Sequence, residues 1–78
     1  MTVQATTFSG HRLHARRTAI GMRRETLAVA IGCTYGIVAR WEQSNAAPSA
    51  VYLMRLCAVL DCAVGDLFDT TSPVAVPA

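Results

Sequence analysis

Residues 24–43 read RETLAVAIGCTYGIVARWEQ, and this stretch decides the fold. Leu27, Ala28 and Ile31 share one face at helical spacing, which predicts a helix over about Arg24–Ile31. Gly32 stops it, because glycine adopts positive φ at little cost. Thr34 is a good N-cap for the next helix, Tyr35–Gln43, with Val38 and Trp41 as its buried pair. Two helices that cross steeply need a small residue where their backbones approach, and Ala28, four residues before Gly32, supplies it. Ile31, Cys33, Val38 and Trp41 fill the wedge between them. Such a wedge leaves the second helix proud of the surface, shaped to enter a major groove.

The flanks extend the same pattern. Ser9 can cap a helix running to about Ile20, with Leu13, Arg17 and Ile20 on one face and Gly21 at its end. SNAAP, residues 44–48, reads as a loop. Ser49 caps a helix over about Ala50–Leu60, with Leu53, Leu56, Cys57 and Leu60 on one side. Val64–Phe68 adds a short helical turn, with Leu67 and Phe68 as plugs. Residues 1–8 are expected to be a flexible arm. Residues 69–78, DTTSPVAVPA, hold two prolines and no helical period, and are expected to be a flexible tail. There is no useful strand-like alternation and no internal repeat. The expectation is an all-α, compact five-helix domain over residues 9–68.

With 78 residues the chain makes one small domain, too short for a DNA-reading head plus a separate sensor. Hydrophobic residues are 53% and charged residues 15%, which excludes a disordered acidic or basic tail. No apolar run approaches a membrane span, and the first eight residues do not read as a secretory signal. The net charge is +2, unevenly placed: residues 1–40 carry six Arg and one Glu, residues 41–78 one Arg, one Glu and three Asp. A basic front of this kind points to a polyanion. Cys33, Cys57 and Cys62 are odd in number and contain no CxxC, so they read as reduced thiols in a cytoplasmic protein. His11 and His14 lack a second ligand pair, so no metal and no cofactor is expected. Without a nucleophile–base set, paired carboxylates or a phosphate loop, the chain is not read as an enzyme.

The run GMRRETLAVAIGCTYGIVARWEQ, with L-A-x-x-I-G and V-x-R-W-E, resembles the Cro/C1-type (lambda-repressor-like, XRE) helix-turn-helix regulators. The likeness continues through Pro48-Ser49 and L-M-R-L-C-A-V-L into V-G-D-L-F, and covers residues 10–68. It implies a five-helix DNA-binding domain, with helices 2 and 3 as the helix-turn-helix, that binds an inverted repeat of double-stranded DNA as a dimer. It implies groove-facing positions at Tyr35, Gly36, Ala39 and Arg40, and a cap at Thr34 that can touch phosphate. It implies phosphate contact at Arg24 and backbone contact at Asn45. It also implies an ion pair between Arg17 and Glu42, joining helix 1 to helix 3.

The residues carry much of this unaided. Arg17 lies on the apolar face of its helix, where a cation needs a partner. Glu42 is the nearest acid by pattern. Arg40, on the exposed side of its helix, suits guanine or phosphate. Arg23, beside Arg24 in the basic front, is a second phosphate-contact candidate. Gly36 and Ala39 offer no side-chain hydrogen bonds, so specificity leans on DNA shape. The chain departs from the family pattern at Val29, Ala30, Ile37, Val51, Tyr52 and Val59, apolar where polar residues are usual, and at Asp61, where glycine is common. The extra apolar residues point to a homodimer through helices 4 and 5, or to a protein partner.

The expected function is a transcriptional regulator acting as an operator-binding repressor, bacterial or phage-encoded. It would be autoregulatory in the manner of a mobile-element repressor or an antitoxin. The alternative is a protein-interaction module on the same scaffold.

Overall fold

The computed structural model describes residues 5–44 and 46–71. In chain order they form β1 (Ala5–Phe8), α1 (Gly10–Ala19), α2 (Arg24–Ile31), α3 (Tyr35–Ser44), α4 (Ala50–Leu60), a 3-10 turn (Val64–Leu67) and β2 (Phe68–Thr71).

Local chemistry sets the helix ends. The Ser9 hydroxyl accepts from the Arg12 N–H at 3.2 Å, and Ser49 accepts from the Tyr52 N–H at 3.4 Å. Thr34 accepts from the Ile37 N–H at 3.3 Å and so caps α3. Gly32 ends α2 at φ +80°, and Asp61 ends α4 at φ +51°. Asp61 thus holds a left-handed conformation that aspartate tolerates better than most side chains.

Leu13 of α1, Leu27 and Ile31 of α2, Val38 of α3, and Leu56 and Leu60 of α4 are almost wholly buried in one core. Ala28 of α2 is buried in the same core. At the N-terminus of α1, a Cβ on Gly10 would meet the carbonyl oxygens of Trp41 and Glu42 well inside contact distance, and the Glu42 carbonyl carbon at 2.8 Å. Glycine therefore lets α1 lie directly on the α3 backbone.

Two expectations are corrected. The expected fifth helix is a single 3-10 turn of four residues, leaving four α-helices among the described residues. Asp66 shortens it to a cap: its carboxylate accepts from the Ala63 N–H at 2.9 Å, and the chain turns extended at Phe68. Residues 5–8 and 68–71 also leave the expected arm and tail to form an antiparallel pair, with Phe8 opposite Phe68. Phe8 is buried, and its ring meets Phe68 edge-on at 5.7 Å. The Ser9 N–H donates to the Leu67 carbonyl at 2.9 Å, closing the ribbon onto the core. Four-residue strands are too short to show a period in the sequence.

Among the described residues no helix is long and apolar enough to cross a membrane.

Candidate nucleic-acid interface

The α2–turn–α3 unit presents one face of α3 outward. Val38, Trp41 and Glu42 point into the fold. Thr34, Tyr35, Gly36, Ile37, Arg40 and Gln43 are exposed, and Ala39 is half-buried. Gly36, Arg40 and Gln43 recur at steps of four and three, one stripe along the helix. Gln43 was missed in the sequence because it follows the buried Trp41–Glu42 pair and carries no charge. Asn45 lies outside the described residues.

The inner side of α3 is anchored through Glu42. Its side chain is 1% exposed. Arg17 grips it with both arms: Nε donates to Oε2 at 2.7 Å and NH2 to Oε1 at 3.0 Å. Arg17 also donates to the Met22 carbonyl at 2.8 Å, so one guanidinium ties α1, the turn and α3 together. Arg24 Nε adds a third bond, to Oε1 at 3.0 Å. His14 Nδ1 lies 3.0 Å from Oε1 and 3.0 Å from Arg17 NH2, and its tautomer decides which of the two it answers. Burial pushes the Glu42 carboxyl up, but hydrogen bonds from Arg17, His14 and Arg24 outweigh it and hold the group below the ordinary glutamate value.

Arg24 is therefore tethered, and does not simply reach into solvent. Its NH1 lies 3.4 Å from the Tyr35 hydroxyl, with the guanidinium 6.0 Å from the ring centroid. Tyr35 first and Glu42 next raise its already high pKa. The residue opening α2 thus braces the residue opening α3.

Most of the basic front turns inward or across the fold. Arg12 pairs with Asp69. Arg16 donates to the Leu60 carbonyl at 2.9 Å and the Asp61 carbonyl at 3.0 Å, closing the C-terminus of α4. Arg55 donates to the Ile31 carbonyl at 3.0 Å, closing α2, and lies 5.6 Å from the Tyr52 ring. Among the described residues, no hydrogen bond or ion pair engages the side chains of Arg23 or Arg40. Arg23 stands at the N-cap of α2, where main-chain N–H groups and the helix dipole favour an anion. Arg40 stands midway along the outer stripe of α3. No group of three or more His, Cys, Asp or Glu among the described residues is placed to hold a metal ion.

An exposed helix set on a wedge, with free arginines on it and beside it, defines a helix-turn-helix nucleic-acid-binding domain. The chain belongs to the Cro/C1-type helix-turn-helix DNA-binding domain family, whose model matches residues 12–72. It is similar in structure to the restriction-modification controller protein C.AhdI from Aeromonas hydrophila: TM-score 0.69, 36% identity, covering 76% of this chain and 89% of that one. It is also similar to the P22 c2 repressor, solved with a synthetic operator: TM-score 0.70, 29% identity, covering 74% and 88%. The clp gene regulator ClgR from Corynebacterium glutamicum matches at TM-score 0.69 and 26% identity, covering 74% of this chain and 62% of that one. A comparison with curated protein sequences finds no match. The family is one of DNA-binding domains, and these neighbours are a controller protein, a repressor and a gene regulator.

Proposed function

We propose that this chain is a sequence-specific repressor that binds an inverted-repeat operator as a homodimer and controls its own gene. The observation that carries the proposal is the outer stripe of α3, where Arg40 is exposed and its side chain has no partner among the described residues. Each protomer lays α3 in a major groove. Arg40 reads a guanine edge, and Thr34, Tyr35, Gly36 and Ala39 sit against the groove wall. Arg23 and the first N–H groups of α2 take phosphate, with Arg24 bracing Tyr35, and Asn45 contacts the backbone beyond α3. Gly36 and Ala39 allow close approach but cannot form side-chain hydrogen bonds, so DNA shape supplies part of the specificity.

Self-association is assigned to α4 and the 3-10 turn, where Val51, Met54 and Val64 are 57%, 70% and 46% exposed. Likeness to a restriction-modification controller protein and to a repressor solved with a synthetic operator supports gene control through operator binding.

The test is fluorescence anisotropy on the DNA upstream of the chain's own gene, across a salt series, with random duplex and Arg40→Ala as controls. Preference for the upstream DNA and a loss of about 1–3 kcal/mol in the variant are expected. Equal binding to all duplexes would reduce the chain to an electrostatic binder. No binding at low salt would leave the protein-interaction alternative.

A further inference from the structure

The C-terminus of α4 places two cysteines against each other. Asp61 in the left-handed conformation turns the chain back, and the Cys62 N–H donates to the Cys57 carbonyl at 3.1 Å. This six-to-one bond is the mark of a Schellman-type helix end, which brings those two positions to the same side of the turn and is frequently accompanied by contact between their side chains. Apolar residues commonly fill the two places, and here both are cysteines. Both are half-buried against the core, and Cys57 is close enough to be one of the causes that push the Cys62 thiol up. A 3.1 Å bond between Cys57 O and Cys62 N keeps the Cα atoms within about 7 Å, near the upper end of a disulfide's usual span. Cys33 belongs elsewhere, in the turn between α2 and α3, where its thiol faces the Thr34 carbonyl at 3.6 Å. All three thiols are free in the structure.

We infer that Cys57 and Cys62 are an oxidation site that low-molecular-weight disulfides convert to an intramolecular disulfide across the end of α4. The exchange runs in two steps. Cys57, as its thiolate, attacks one sulfur of the small disulfide, forming a mixed disulfide and expelling one small thiolate. That thiolate takes the proton of Cys62. The Cys62 sulfur then attacks Cys57 Sγ, the mixed disulfide breaks, and a second small thiolate leaves. The chain gives up two electrons and the reagent accepts them as two thiols. Burial first, and Cys57 next, push the Cys62 thiol up to about 11, so Cys62 stays protonated at neutral pH until the mixed disulfide forms beside it. The exposed Asp61 turn leaves the outer side of the pair open to a small reagent.

The experiment incubates the folded full-length chain with excess oxidised glutathione, then counts free thiols in denaturant and maps peptides by mass. The count is expected to fall from three to one, with Cys33 free and two hydrogens lost from the peptide spanning 57–62. Cys33→Ser is expected to close the same bridge and leave no free thiol. Cys62→Ser is expected to stop at a glutathione adduct on Cys57. A wild-type count that stays at three, a persistent adduct on Cys57 without ring closure, or a bridge between two chains would each overturn the proposal.

Discussion

Glu42 sits where two guanidinium groups and an imidazole converge, and its side chain is almost closed to water. A carboxylate held below its ordinary pKa in the folded state adds stability that is fully present above the unfolded value of about 4.3. That stability is lost as pH falls through the lower, folded value. Melting temperature followed against pH is therefore expected to drop steeply below about pH 4. Glu42→Gln should remove much of that slope. At pH 7 the variant should lose roughly 3–5 kcal/mol, because Arg17 is left buried without its counter-charge. An unchanged acid limb in Glu42→Gln would mean that other carboxyls govern acid unfolding. Half of this cluster is legible in the sequence, because a cation between Leu13 and Ile20 demands an acid. The other half is not. His14 and Arg24 reach Glu42 only through the angles at which α1 and α2 meet α3, and spacing along one helix carries no such angle.

At the scale of elements, close approach and short strands decide the packing. Gly10 is needed because the α3 backbone occupies the space of its Cβ. Gly10→Ala should therefore cost about 1–3 kcal/mol or more by denaturant melting, although alanine is the better helix former. A variant that melts like the parent would refute the direct contact of α1 with α3. Phe8 makes the second case. A phenylalanine in an eight-residue polar-looking leader reads as an arm, yet it is 3% exposed and meets Phe68 edge-on. Phe8→Ala should cost about 3–5 kcal/mol, a large fraction of the stability of a domain this small. A change within 0.5 kcal/mol would return residues 5–8 to the arm. The helix boundaries were legible because Ser9, Gly32, Thr34 and Ser49 each act within one turn of the chain. The ribbon was not, because its two strands lie some sixty residues apart and carry only Phe8 and Phe68 as a pattern.

For the whole molecule, the seven arginines suggest a strong polyanion binder, but the fold assigns most of them elsewhere. Arg17 and Arg24 neutralise Glu42, Arg16 and Arg55 close helix ends, and Arg12 faces Asp69. Each phosphate neutralised by a cation contributes about −0.9 to the slope of log affinity against log salt. Arg23 and Arg40, with a share from Arg24, give an expected slope of about −2 to −3 per protomer, whereas all six front arginines would give about −5. Main-chain N–H contacts add affinity but release few counterions. Measured on a half-site duplex, Arg23→Ala should flatten the slope by nearly one unit with similar losses on every sequence. Arg16→Ala should leave the slope unchanged and lower the melting temperature, because its guanidinium closes α4. A wild-type slope near −5, with Arg16→Ala flattening it, would mean that the intramolecular bonds to Leu60 and Asp61 open when DNA arrives. The basic front would then be a binding surface in full, held in reserve by the helix ends until phosphate replaces their carbonyls.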